Sequence, residues 1–585
     1  MLDQPAFLNV TSSLTGRRWV GPGLEEQRRA EALEQATGLS RPLAAVLARR
    51  GIEAPEVPGF LEPTLRDLLP DPRSLRDMEA AATRFLAAVR GRERIAVFAD
   101  YDVDGGASAA LLLTWLRDKG LAATLYIPDR IDEGYGPNAP AMAELAAGHD
   151  LIICVDCGTL SHDALAAADG ADVIVLDHHL GGETLPPALA VVNPNRQDES
   201  GDLAHLCAAA VVFLMLVEAG RQLREGGEAG PNLMGMLDLV ALATVADVAP
   251  LTGVNRAFVR QGLKVMARRQ RIGLTSLCDV ARLDSEPRAY HLGYVLGPRI
   301  NAGGRIGAAD LGARLLATAD PHEAAALSER LDALNTERRE VEATVRGAAL
   351  AQAEAREDGA ALAWAAGDGW HPGVVGIVAS RLKETMHRPS VVIGFDGEAG
   401  KGSGRSVPGV DLGAAIQRLA AEGLIEKGGG HKMAAGLSLS RAQLEPAMAR
   451  LDALLARQGA GAHGPHDLHV DALLMPEAAN VELIEDLERA GPFGAAAPAP
   501  RVALPHLRVR YAKEVGTGHL KVDLTDGSGA RLSAIAFGAF DSELGPALMQ
   551  QDGAPVHVTG RLEINQWGGR ATPQLRLEDA AIALD

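Results

Sequence analysis

Between residues 76 and 250, short apolar runs alternate with longer mixed segments. The runs at 94–99, 121–127, 151–156, 173–177 and 189–192 are nearly continuous, without strict apolar–polar alternation. That pattern predicts strands buried on both faces of a parallel sheet. The segments between them suit crossover helices, so the region reads as repeated βαβ units. Helices are expected to dominate 205–355. Within that stretch, Pro321–Glu354 is rich in Ala, Glu, Arg and Leu, with no further Pro or Gly until Gly347, and predicts one long connecting helix.

A second α/β unit is predicted at 358–458, with strands at 361–367 and 389–396 and glycine-rich segments, taken as loops, at 401–406 and 426–436. A Gly- and His-rich break at 458–466 reads as a linker. Beyond it, segments such as HLKVDLTD and RLSAIAFG alternate with period two between turns, which predicts a small antiparallel barrel. The first 75 residues are a mixed segment broken by Pro55, Pro58, Pro63, Pro70 and Pro72. The expected fold class is therefore α/β: a parallel-sheet domain (76–320) joined by a long helix (321–357) to a smaller α/β domain (358–460), then an OB-like β-barrel (466–585).

Composition adds constraints. The 585 residues are 47% hydrophobic and 23% charged, as in a globular protein. The net charge of −19 excludes a purely electrostatic DNA-coating protein, so any nucleic acid must be held locally, by metals and arginine pockets. Cys154, Cys157, Cys207 and Cys278 form no disulfide framework. Cys154-x-x-Cys157 lacks a second ligand pair, and buried thiols are expected. The longest clean apolar run, Leu206 to Val217, is shorter than the ~20 residues needed to span a bilayer. The N-terminus shows no basic segment followed by an apolar core, so no membrane association and a cytoplasmic location are expected.

The chemistry lies at the ends of the apolar runs. Asp102 and Asp104 follow the first, in IAVFADYDVDGGAS; Asp156 closes LIICVDCGT; Asp177, His178 and His179 follow VIVL. Open α/β sheets bind ligands just beyond the carboxyl ends of their strands. Three neighbouring ends would gather these carboxylates and imidazoles in one crevice, where hard divalent cations would neutralise them. An aspartate-rich turn or helix cap is the plainer reading of Asp102 and Asp104 taken alone. His178 is the expected metal ligand. His179 would point toward a phosphate oxygen, and Asp177 could orient His178. Asp247 stands in the apolar helical segment ALATVADVAPL, where either a metal or helix capping would offset its burial.

Other motifs carry open alternatives. Arg130 suits bidentate phosphate binding or surface packing, and Tyr135 suits base stacking or packing. Ser403 and Arg405 in GSGRS, and His431 in GGGH, fit an anion nest or flexible turns. Arg256, Arg260, Lys264 and Arg268, with Arg269 and Arg271 beside them, form a stripe at helical spacing, either a solvated face or a rail for a DNA backbone.

DYDVDG at 100–105, VDCG at 155–158, DHH at 177–179 and Ala246-Asp247 together resemble the four motifs of the DHH phosphoesterase superfamily, and GGGHKMAAG at 428–436 resembles its DHHA1 domain. GPRINAGGRIG at 297–307, GWHPGVVGIVASRL at 369–382 and the terminal barrel narrow the resemblance to the RecJ family of 5′→3′ single-strand exonucleases. The resemblance covers nearly the whole chain. It implies two divalent cations, Mn²⁺ or Mg²⁺, one on Asp102 and Asp156, the other on Asp104, Asp156, His178 and Asp247, with His179 also catalytic and Asp100 and Asp177 as supporting or additional ligands. It implies a 5′-phosphate pocket of Arg130, Ser403 and Arg405, stacking by Tyr135, and backbone contacts by Asn301, Arg305 and His431. Many superfamily members have a histidine where this chain has Phe98. The activity implied is two-metal hydrolysis of single-stranded DNA to mononucleotides in recombination and repair, by a monomer working with a helicase and single-strand-binding protein. A short-oligonucleotide or cyclic-dinucleotide phosphodiesterase of the same superfamily, and a non-catalytic DNA-binding scaffold, are the competing readings.

Overall fold

A computed structural model describes residues 5–129, 133–356, 360–461, 467–551, 553–567 and 570–583. The chain forms two compact units, Leu65–His463 and Met1–Thr64 with Gly464–Asp585. None of the described helices is long and apolar enough to cross a membrane.

The larger unit opens with five parallel strands: β1 (Ile95–Ala99), β2 (Ala123–Tyr126), β3 (Leu151–Val155), β4 (Asp172–Leu176) and β5 (Ala190–Val192), in the order β2-β1-β3-β4-β5. β1 and β3 are buried along their whole length, as their unbroken apolar sequences require. One face packs Phe98, Ile152, Cys154 and Val175 against Met142 and Leu145 of the helix Ala139–Gly148. The chain leaves β1 toward β2 on one side and returns to β3 on the other. Strand order therefore reverses between β1 and β3, which opens a crevice at their carboxyl ends. All four cysteines are free and buried.

Helix α1 (Val103–Asp118) follows β1 and is buried along most of its length. Helices α2 (Ala208–Glu225), α3 (Leu237–Ala246), α4 (Gly253–Ala267) and α5 (Gly297–Ile306) lead to α6 (Pro321–Glu354), the long helix expected from its composition. The arginine stripe on α4 is not one continuous surface. Arg256 is buried, Arg271 pairs with Asp238 at 2.8 Å, and Arg269 pairs with Asp279. Only part of it faces solvent, because α4 packs against α3.

The second sheet contains β6 (Ala363–Asp368), β7 (Ser390–Asp396), β8 (Ala399–Arg405), β9 (Lys427–His431) and β10 (Ala434–Ser440), in the order β9-β10-β8-β7-β6. Helices α6 and α7 (Pro372–Met386) cover one face through Val345, Ala349, Val374 and Val378. The other face packs Val391, Ile393, Phe395 and Leu437 against Leu412, Ile416, Leu451 and Leu455. The glycine-rich segments expected as loops are strands. Gly400, Gly402 and Gly404 alternate along β8 opposite Phe395, Ile393 and Val391. A Cβ on Gly402 would lie 2.8 Å from Ile393, and one on Gly404 2.7 Å from Leu412. Glycine at every second position here marks close approach by large neighbours, not a flexible turn.

The smaller unit contains a closed five-stranded barrel of Val502–Val515, His519–Thr525, Arg531–Ala536, Pro555–Trp567 and Arg570–Ile582. Closure comes from pairing of the first strand with the fourth. The barrel is not wholly antiparallel. Arg531–Ala536 runs parallel to Arg570–Ile582, because the chain crosses over through helix Leu544–Met549 before the last two strands. The N-terminal residues pack into this unit. Trp19 is fully buried and donates its indole N–H to Asp579 at 2.9 Å, and Leu33, Leu43 and Leu47 share a core with Leu487.

Candidate metal centre

Sheet register sets the centre. Ala99 pairs with Val155 and Val155 with Leu176, so β1, β3 and β4 end flush. Asp100, Asp156 and Asp177 are the next residues. Asp156 N donates to Leu176 O at 3.0 Å, and Asp177 N to Val192 O at 3.1 Å. Past this edge Asp156 adopts φ 60°, a left-handed conformation that is uncommon for a residue with a side chain. The turn directs its carboxylate into the crevice.

Asp102 is the N-cap of α1. Its Oδ1 accepts from Asp104 N at 2.8 Å and Gly105 N at 3.2 Å. The helix-cap reading is thus correct, and its carboxylate still offers an oxygen within 4.8 Å of Asp100 and Asp156 oxygens. A Cβ on Gly105 would meet Asp100 O at 2.3 Å, so only glycine lets the loop close this tightly. Asn301 Oδ1 accepts from Val103 N at 3.0 Å, bracing the same turn from α5. Asp104 is almost fully buried. Its oxygens accept from Ala208 N at 2.7 Å and Ala209 N at 2.8 Å, at the N-terminus of α2. Those N–H groups and the helix dipole favour the ionised carboxylate.

His178 joins the carboxylates. Its Nε2 stands 3.3 Å from Asp156 Oδ1 and 3.7 Å from Asp104 Oδ2, and its Nδ1 3.8 Å from Asp247 Oδ2. Asp247 lies just past the end of α3, followed by Val248 at φ 59°. Three overlapping groups of ligand atoms result: Asp100, Asp102 and Asp156; Asp104, His178 and Asp247; and Asp156, His178 and His179. The first includes Asp100. Phe98 lies within the fully buried strand and stacks on Tyr126 at 5.3 Å, so it serves the core.

Burial pushes the Asp156 carboxyl well above its usual range, and Asp104, Asp102, Asp100 and Asp177 push it further. Burial likewise raises Asp104, and burial with Asp104 and Asp102 raises Asp247 to about 8. Asp156 Oδ1 is buried and accepts no hydrogen bond from the described residues. A carboxylate oxygen this costly to leave alone, among oxygen donors and one imidazole, fits hard divalent cations such as Mn²⁺ and Mg²⁺.

Asp177 does not orient the His178 ring, contrary to expectation. Its Oδ1 accepts from the backbone N–H of His178 at 2.8 Å and of His179 at 3.2 Å, and stands 2.8 Å from Nδ1 of His179. Burial disfavours its charge, but the hydrogen bond and charge of His179 hold it below the usual range. Burial pulls His179 down, yet Asp177 raises it to about 9. The sequence reading missed the residues beneath this pair. Thr159 donates to Asp177 Oδ2 through Oγ1 at 2.6 Å and its backbone N at 3.1 Å. Asn193 donates to Thr159 Oγ1 and to His179 O, each at 2.8 Å, and Asn195 donates to His178 O at 2.6 Å. A signal existed: Asn193-Pro194-Asn195 follows the fifth apolar run at the same sheet edge.

Of the remaining candidates, Tyr135 reaches the centre itself. Tyr135 is exposed, with its hydroxyl 3.1 Å from Asp156 O and 3.1 Å from His179 Nε2. Arg405 donates to Ser403 Oγ at 2.9 Å on β8, beside Gly376 of α7. Arg305 donates to Gly373 O at 3.0 Å, tying α5 to the start of α7. His431 is exposed at the end of β9. Arg130 lies outside the described residues.

The chain matches the DHH family N-terminal domain over residues 94–244, the DHHA1 domain over 358–457 and the RecJ OB domain over 470–579. The single-stranded-DNA-specific exonuclease RecJ of Dickeya dadantii is 37% identical over 556 residues, which cover 92% of this chain and 95% of the relative. That of Escherichia coli is 35% identical over 94% of this chain and 98% of its own length. The crystal structure of RecJ with Mn²⁺ from Thermus thermophilus aligns with TM-score 0.79 and 30% identity, covering 96% of this chain and 79% of that one. A Mg²⁺ complex from the same source aligns at 0.73 and 28%, covering 96% and 78%. With all three domain models matched, and with identity and coverage of this extent, the chain belongs to the RecJ family of the DHH phosphoesterases.

Proposed function

We propose that this chain degrades single-stranded DNA from the 5′ end to mononucleotides by two-metal phosphodiester hydrolysis, in DNA recombination and repair. The observation that carries the reading is the convergence of Asp100, Asp102, Asp104, Asp156, His178 and Asp247 where the sheet order reverses. These residues are the proposed holders of the cations. Two such ions supply positive charge at the reacting phosphate and lower the pKa of an attacking water. Asp177 fixes Nδ1 of His179, and Nε2, which stands 3.1 Å from the Tyr135 hydroxyl, is the proposed donor to a substrate oxygen. Tyr135, beside that nitrogen, is the proposed stacking residue. Ser403 and Arg405, with Arg130, are the proposed pocket for the 5′-phosphate, and Asn301, Arg305 and His431 the proposed backbone contacts. We also propose that the chain acts as a cytoplasmic monomer, served by a helicase and a single-strand-binding protein.

The test uses an internally labelled single strand bearing a 5′-phosphate, with each end blocked in turn, in Mn²⁺ and then EDTA. Blocking the 5′ end alone should stop mononucleotide release, and EDTA should abolish it. Arrest by a 3′ block, or cleavage confined to pieces of a few nucleotides, would overturn the reading.

A further inference from the structure

Two of the six tyrosines lie together on the surface, away from the residues assigned above. Tyr290 is 52% exposed and Tyr294 71% exposed, and their rings stack at 5.0 Å with an interplanar angle of 23°. Two exposed rings stacked on each other present one continuous flat apolar face, the kind of feature that binding surfaces carry. The pair opens a continuous helical stretch: Ala289–His291, a π-turn at Leu292–Leu296, then α5. Single π-turns within helices are rare and frequent at functional sites.

The stretch is fixed to the metal centre at two points. A Cβ on Gly293 would lie 3.3 Å from Val245, and one on Gly297 3.5 Å from Ala246, the residue before Asp247. Seven residues beyond Tyr294, Asn301 braces the turn between Asp102 and Asp104. At ~1.5 Å of rise per residue, Tyr294 and Tyr290 stand roughly 10 and 16 Å along the helix from that brace. For a strand laid along the helix, advancing ~3.4 Å per stacked nucleotide, the offset corresponds to roughly three to five nucleotides.

We propose that Tyr290 and Tyr294 form a stacking platform for bases of the single strand, three to five nucleotides from the scissile phosphate. The inference rests on the single-strand exonuclease reading above. The occupant is nucleic acid because the aromatic surface is carried by the helix that braces the catalytic turn, and because stacked rings offer a flat face that any base can extend. The platform would hold the strand without reading its sequence, as stacking on aromatic rings does.

The test compares wild type, the Tyr290→Ala/Tyr294→Ala double variant and the corresponding double Phe variant, on a strand of about twenty nucleotides and on a trinucleotide too short to reach the platform. For the long strand, the alanine variant should raise KM by about tenfold or more with kcat nearly unchanged, and the phenylalanine variant should behave as wild type. All three should cleave the trinucleotide alike. Quenching of 2-aminopurine placed three to five nucleotides from the 5′ end, read in Ca²⁺ without cleavage, should persist with Phe and vanish with Ala. An unchanged KM and unchanged quenching in the alanine variant would overturn the platform, as would equal loss on the trinucleotide. Wild type that cleaves no single strand would instead overturn the functional reading on which the platform rests.

Discussion

Asp156→Asn separates charge from shape at the metal centre. Asp156 offers an oxygen within 4.8 Å of oxygens on Asp100 and Asp102. Two unit charges that far apart repel by about 3.5 kcal/mol at an effective dielectric of 20. Burial adds to this, and together they push the Asp156 carboxyl well above its usual range and disfavour its charge in the metal-free protein. Asparagine keeps nearly the same shape and removes that disfavoured charge. Metal-free stability should therefore change by less than ~1 kcal/mol. The loaded protein should behave differently. Each cation present at a hundredfold excess over its Kd contributes about 2.7 kcal/mol, so two contribute about 5. Asp156 belongs to two of the three ligand groups, and its loss should remove at least half of that gain. Cleavage should fall by about a thousandfold or more, the equivalent of about 4 kcal/mol of lost transition-state stabilisation. Thermal melts of both proteins in EDTA and in Mn²⁺, with single-turnover cleavage, measure all three quantities. A variant that keeps the full Mn²⁺ stabilisation, or cleaves within tenfold of wild type, would refute the ligand assignment. A variant strongly destabilised in EDTA would refute the argument that burial and neighbouring carboxylates disfavour the Asp156 charge.

Thr159→Val leaves a buried carboxylate oxygen of Asp177 short of its hydroxyl donor. It should cost about 1–3 kcal/mol in denaturant unfolding and weaken Mn²⁺ affinity by about 10–100-fold, measured by calorimetry. Thr159→Ser should retain both. Gly404→Val would put a side chain where a Cβ already stands 2.7 Å from Leu412. Urea unfolding should report a loss of about 1–3 kcal/mol, and a neutral result would mean that the second sheet yields more readily than its packing indicates. Arg405→Ala should erase any preference for a 5′-phosphate over a 5′-hydroxyl in kcat/KM while leaving the hydroxyl substrate nearly unaffected. Equal losses on both would remove Arg405 from the phosphate pocket.

Much of the metal centre was legible because its determinants are local. A strand buried on both faces is a short unbroken apolar run, and the residues that end it stand at the sheet edge. Asp102, Asp104, Asp156 and His178 each follow such a run within a few positions, so chain order alone pointed to one crevice. Asp247 was less legible, since an apolar helix with one carboxylate does not state what lies beyond its end. The glycine-rich strand β8 was misread because its alternating Gly400, Gly402 and Gly404 signal a strand only in view of the side chains across from them.

The sequence by itself determined the parallel sheet, the long helix Pro321–Glu354, the barrel's alternation and the residue types of the centre, since each follows from a repeat or a neighbour within a few positions. Only the tertiary structure decided that Asp177 serves His179 and not the His178 ring, that Thr159 and Asn193 lie beneath that pair, that one barrel pairing is parallel, and that residues 1–64 pack with 464–585. Apart from the Asp177–His179 contact, whose partners are two residues apart, each depends on contacts between segments distant in the chain. Hydrogen-bond direction and packing there are set by where other elements end, which no local pattern encodes.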